Sequence, residues 1–116
     1  MATEVLADAK KLSHAQGSAR SIANRSYYAM FYAVLATIGQ GSAKHSGVIS
    51  LFDLNFVKAG LLPKELSKIL HRAFDLRQQG DYGEAGLTVS IEDAADLLQN
   101  SEIFVSAIQA YLIDCG

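Results

Sequence analysis

The stretch Asn24-Arg25-Ser26-Tyr27-Tyr28-Ala29-Met30-Phe31-Tyr32-Ala33-Val34-Leu35-Ala36 decides the fold. After Ser26 nearly every residue is apolar or aromatic, on every side of a helix drawn through it. A helix that is apolar all round is buried all round. The run is too short to cross a bilayer, which takes roughly 20 apolar residues. It therefore reads as the central helix of a small soluble bundle, with Arg25 at its entrance. Ser18 is its expected N-cap and Ile38 its approximate end. Along it Ile22, Arg25, Ala29, Ala33 and Ala36 share one face at spacings of three and four, and the small alanines invite close approach by another helix. Tyr28 and Tyr32 lie beside that face.

The flanking chain has the same character. Residues 3–14 read as a first helix with Val5, Leu6, Ala9 and Leu12 inward and Lys10 and Lys11 outside. Gly39 to Ser42 form a loop. A third helix follows Ala43-Lys44-His45-Ser46-Gly47 and runs to about Lys58, with Val48, Ile49, Phe52 and Phe56 facing the core and Gly60 as its terminator. Pro63 at a first helical position, followed by Glu65, starts a fourth helix that reaches about Gln79. Its inner stripe is Leu66, Ile69, Leu70, Ala73, Leu76 and then Arg77, so an arginine continues an apolar face. Gly80 to Gly86 carries three glycines in seven residues and reads as a sharply bending loop. Ser90 with Asp93 resembles a capping box. A last helix runs from Ile91 to about Ile113, with Ala94, Leu98, Val105, Ile108 and Leu112 inward. The expected architecture is all-α: an up-and-down bundle of four to five helices in a single domain over residues 1–116.

Composition agrees. Half of the 116 residues are hydrophobic, and Pro63 is the only proline, which favours helix. Cys115 is the only cysteine, so one chain holds neither a disulfide framework nor a cysteine metal site, and the cytoplasm is the expected location. The N-terminus, with Glu4 and Asp8, does not read as a signal peptide. Residues 1–76 hold nine Lys/Arg against five Asp/Glu, whereas residues 77–116 hold Arg77 alone against seven acids. The basic part suits phosphate, or is an ordinary solvated face. The overall charge of −2 argues against strong non-specific nucleic-acid binding.

None of the three histidines forms a metal pair at helical spacing, and no zinc, calcium, P-loop or dinucleotide signature occurs. No metal or cofactor is expected. His14 and His71 read as surface residues. His45, at a helix entrance, is either a functional imidazole or a helix-start hydrogen-bond partner. Arg77 and Asp81 are four apart and read either as a surface ion pair or as part of a polar cleft. In the second case Arg25 and Arg77 meet and hold a phosphate, for which guanidinium geometry is suited, with Asp81 or Asp75 balancing the charge. Tyr27, Tyr28, Tyr32 and Tyr82 either stack on a base or pack in the core.

At these residues the sequence resembles the HEPN domain. Arg25 to Ala33 looks like its second-helix signature. Lys44-His45-Ser46-Gly47-Val48-Ile49-Ser50-Leu51-Phe52, Phe56 to Leu66, and Leu76-Arg77-Gln78-Gln79-Gly80-Asp81-Tyr82 follow in the same order, so the likeness spans nearly the whole chain. It is similar to an uncharacterised prokaryotic branch related to toxins that pair with small nucleotidyltransferases. The resemblance implies an antiparallel helical bundle that dimerises, with a polar cleft near the dimer interface. It also implies binding of a nucleotide or RNA within a toxin–antitoxin or defence module beside a nucleotidyltransferase-like partner. Many members are metal-independent ribonucleases whose signature is an arginine followed, after four to six residues, by a histidine. Here Arg77 matches the arginine, but Tyr82 stands where the histidine is expected, preceded by Asp81. Tyrosine is a poor general base at neutral pH. The resemblance thus marks Arg77, Asp81 and Tyr82 as the catalytic positions of an endoribonuclease with a non-standard site. Together with the two inward arginines, the resemblance makes Arg25, Tyr28, His45 and Arg77 the expected phosphate- or nucleotide-binding positions. Some antitoxins of such pairs adenylylate a tyrosine just after the histidine, close to the place of Tyr82. A structural interaction module, whose arginines only make ion pairs, is the third reading.

Overall fold

The computed structural model describes residues 2–15, 18–38, 44–82 and 89–115, with side chains at all of these except 79–82 and 115. Five α-helices are present and no strand among the described residues: α1 (Ala2–His14), α2 (Ala19–Ile38), α3 (His45–Phe52), α4 (Lys64–Tyr82) and α5 (Ile91–Cys115). A π-helical turn, Asp53–Val57, extends α3.

Helix α2 is the axis, as its composition requires. It touches α1, α3, α4 and α5, and Ile22, Ala23, Ser26, Tyr27, Ala29, Met30, Phe31, Ala33 and Val34 are buried along it. Its start is capped by Ser18, whose Oγ accepts the Ser21 N–H at 3.1 Å; such a cap contributes about 1 kcal/mol. The expected small-residue face leaves the core early, because Ala36 is exposed. Around α2 the buried side chains of every other helix join one cluster, in which Tyr27, Phe52 and Phe104 are among the largest fully buried groups.

The third helix differs from the regular helix expected to Lys58. After Phe52 the backbone widens, and the Lys58 N–H bonds to the Asp53 carbonyl, five residues back, at 2.7 Å. This inserts one extra residue into a turn, a device common at functional sites. The segment ends at Gly60, whose φ of +80° lies in the left-handed region that glycine enters without steric cost.

Two further expectations are corrected. The fourth helix does not stop at Gln79: Gly80, Asp81 and Tyr82 belong to its last turn. A glycine inside a helix costs about 1 kcal/mol relative to alanine, which the packed α4 tolerates. Residues 83–86 of the expected loop lie outside the described residues. Only half of the capping box at α5 forms. Ser90 Oγ accepts the Asp93 N–H at 3.0 Å, while the Asp93 carboxylate accepts from Arg72 Nη2 at 3.2 Å and ties α5 to α4.

The inward face of α5 is also broader than its predicted stripe. Leu97, Ser101 and Phe104 are fully buried, whereas Leu112 is exposed. A helix packed against several neighbours buries more than one stripe. Ser101 is accommodated by donating its hydroxyl to the Leu98 carbonyl at 2.6 Å.

Candidate functional site

Three elements bring polar groups together within an aromatic cluster. Helix α2 supplies Tyr27, Tyr28 and Phe31, of which Tyr27 and Phe31 are one turn apart. Helix α3 begins with His45. Helix α4 delivers Arg77 as the last member of its inward stripe, after Leu66, Leu70, Ala73 and Leu76, all buried.

Arg77 lies across the two tyrosines. Its Nη2 donates to the Tyr28 hydroxyl at 3.1 Å, and its guanidinium carbon stands 5.5 Å and 5.3 Å from the Tyr27 and Tyr28 ring centroids. Cation–π contacts of this kind contribute about 0.5–2 kcal/mol each. His45 approaches the same pair. Its Nδ1 shares a hydrogen bond of 2.9 Å with the Tyr27 hydroxyl, and its ring stacks on Phe31 with centroids 4.1 Å apart. The His45 centroid is 5.7 Å from both tyrosine rings.

The electrostatics follow from this packing. Burial lowers the His45 pKa below the ordinary 6.5, and the Arg77 cation lowers it further, so the imidazole is neutral at pH 7. Tyr27 is fully buried. Burial raises its hydroxyl pKa far above 10.0, opposed by Arg77 and reinforced by Tyr28. The site thus offers a fixed cation, a neutral imidazole and a phenol that stays protonated. Oriented donors beside a cation suit a phosphoryl group.

The residues singled out by sequence separate into groups. Arg77, Tyr28 and His45 come together. Arg25 faces the other way: its Nη2 lies 4.0 Å from Asp8 Oδ2 of α1. It lines a cleft of about 480 Å³ with Leu12, Ser18, Arg20, Ser21 and Asn24. Asp81 and Tyr82 sit four and five residues beyond Arg77, in the final turn of α4, and their side chains lie outside the described residues. His71 is exposed but engaged, donating to Asp53 Oδ2 at 2.5 Å, while Ser67 donates to Oδ1 at 2.7 Å.

Two contributors escaped the sequence reading. Phe31 is the platform for His45, and Tyr27, read mainly as core, is also its hydrogen-bond partner. The available signal was the phenol itself, since a buried tyrosine hydroxyl needs a partner. Among the described residues no group of three or more His, Cys, Asp or Glu side chains is placed to hold a metal ion, and no helix is long and apolar enough to cross a membrane.

The HEPN domain model matches residues 1–111. This chain belongs to the HEPN family. The HEPN domain is 40% identical over 116 residues to the "UPF0332 protein" of Thermotoga maritima, covering 97% of this chain and 86% of the relative. Two proteins of Methanocaldococcus jannaschii carry more telling names. "Putative toxin MJ0142" is 38% identical over 93 residues, 78% of this HEPN chain and 63% of the relative. "Putative toxin MJ0605" is 33% identical over 96 residues, 80% and 70% of the two chains.

Proposed function

We propose that this HEPN domain binds the phosphate of a nucleotide or an RNA strand at Arg77, with Tyr28 and His45 lining the site. On this reading it acts in the cytoplasm as a homodimer, within a toxin–antitoxin or defence module beside a nucleotidyltransferase-like protein. The observation that carries the proposal is the placement of Arg77. An arginine drawn onto two tyrosine faces beside a neutral imidazole is a pre-ordered anion contact, and little side-chain freedom remains to be lost on binding. The toxin names of relatives support the module. Arg25, turned to Asp8 and a separate cleft, stands outside this contact, and Asp81 and Tyr82 enter as flanking positions at the end of α4.

Titration of AMP, ATP and a short RNA against the wild type and Arg77→Ala tests this. Loss of one charge-assisted contact weakens binding roughly tenfold or more. Equal binding by both proteins, or none by either, overturns the proposal. Arg25→Ala decides whether the two arginines act on one ligand: a loss comparable to that of Arg77→Ala joins them, and an unchanged affinity separates them.

The proximity of His45 to Arg77 favours one further reading, a metal-independent endoribonuclease in which an imidazole from α3 contacts the phosphate in place of one after Arg77. It predicts growth arrest on expression, relieved by Arg77→Ala. Absence of both arrest and RNA cleavage by the pure protein counts against it.

A further inference from the structure

The contact between Tyr27 and His45 says more than that the two are close. A neutral imidazole has one nitrogen that donates and one that accepts, and the partner of one nitrogen dictates the proton on the other. Two arrangements fit the 2.9 Å separation. Either the phenol donates to Nδ1, or Nδ1–H donates to the phenol oxygen. The second leaves the phenolic hydrogen without an acceptor. Tyr27 is 0% exposed, so water does not supply one, and His45 is the hydrogen-bond partner its hydroxyl has. A buried hydroxyl hydrogen left unbonded carries its full desolvation penalty. The first arrangement therefore prevails, and the proton of the neutral ring resides on Nε2.

The ring has little freedom to evade this. Phe31 stacks on one face at 4.1 Å with an interplanar angle of 26°, and Tyr28 meets it edge-on at 86°. His45 remains partly exposed, and Nδ1 carries its hydrogen bond to the described residues, leaving the Nε2 edge for a ligand.

We propose that Tyr27 is a positioning residue whose hydroxyl, donating to Nδ1, holds His45 as the Nε2–H tautomer, so that His45 presents a hydrogen-bond donor rather than a base to a phosphoryl oxygen held by Arg77. The donor role rests on the phosphate-binding reading, whereas the tautomer does not. The consequence for chemistry is direct. The one lone pair with which the neutral ring would take a proton is already occupied by Tyr27. His45 thus contributes recognition of the phosphate, and a base for RNA cleavage has to come from elsewhere.

The test has a ligand-free arm and a ligand arm. In the full chain labelled with 15N-histidine, at pH 7.5, the His45 signals are assigned by their loss in His45→Gln. The expected pattern has Nδ1 in the unprotonated range and Nε2 in the protonated range. In Tyr27→Phe, checked for native helicity, the two shifts move toward each other as the tautomers mix. A protonated Nδ1 in the wild type, or no change in Tyr27→Phe, overturns the lock.

In the ligand arm, AMP binding by calorimetry weakens about three- to tenfold in Tyr27→Phe and about tenfold in His45→Ala. His45→Gln retains more of the affinity than His45→Ala, because a glutamine amide N–H reaches the place of Nε2–H. Glutamine as poor as alanine overturns the donor role. Wild-type protein that shows the tautomer but no affinity for AMP removes the phosphate reading and the donor role together, and leaves the Tyr27–His45 lock standing.

Discussion

His45 and His71 are each hydrogen-bonded to a residue 18 positions earlier, and they have opposite surroundings. His45 is bound to a buried phenol, stacked on a phenylalanine and set beside a guanidinium. His71 stands on the surface of α4, bound to the Asp53 carboxylate that opens the π-helical turn, with Ser67 on the other carboxylate oxygen. The first environment makes an imidazole neutral and leaves it partly exposed. The second links α3 and its π-helical extension to α4. A histidine becomes a candidate for function through burial and a neighbouring cation, and a carboxylate partner at the surface makes it a structural tie.

The largest effect is expected at Phe31. Phe31→Ala removes the platform of the first histidine and opens a cavity beside Tyr27. Truncations of buried phenylalanine cost about 3–5 kcal/mol, read as a lower urea midpoint, and AMP affinity falls with it. On the other side, Asp53→Ala frees both Ser67 and His71. A loss of about 1–2 kcal/mol is expected for two partly exposed hydrogen bonds, with AMP affinity unchanged. A loss of affinity in Asp53→Ala would show that the π-helical tie also shapes the site.

Acidification sharpens the same contrast. The folded state holds His45 below its ordinary 6.5, so the unfolded chain takes up the proton first. The contribution of this residue to stability is complete above 6.5 and declines as pH falls toward the folded-state pKa. Urea midpoints between pH 7.5 and 5 should therefore decrease, and His45→Gln should flatten that decrease. His71→Gln should leave the His45-dependent part intact. The smallest effect is expected for His71→Gln at pH 7.5, about 0–1 kcal/mol, because its partner is shared with Ser67 and the pair is open to solvent.

Much of this was legible residue by residue. The apolar run after Ser26 marks α2 as buried on all sides. Ser18 and Ser90 announce helix starts by offering an oxygen to an N–H three residues on. The stripe from Leu66 to Leu76 carries Arg77 inward because side chains three and four apart share a face. Other features were not legible from such patterns. The turn at Asp53 has helical residues on both sides, and its widening into a π-helix leaves no mark in the apolar periodicity. Gly80 reads as a breaker, yet the backbone continues as helix through Tyr82. Asp93 fits a capping box, but Arg72 on a neighbouring helix claims its carboxylate. At Asp53 and Asp93 the side chain is claimed by residues distant in the chain, Ser67 and His71 in the first case and Arg72 in the second.

The division at the site is the same. By itself the sequence determined that the chain is a helical bundle around α2, that it resembles HEPN domains, and that Arg77 belongs to an inward face. Those properties follow from periodicity and local capping, which act within a few residues. Only the tertiary structure decided that Arg77 meets Tyr27, Tyr28 and His45, while Arg25 turns to Asp8 on α1. A helix face is encoded along the chain, but its partner is selected by the joint packing of all the helices, and that selection placed the imidazole beside the guanidinium.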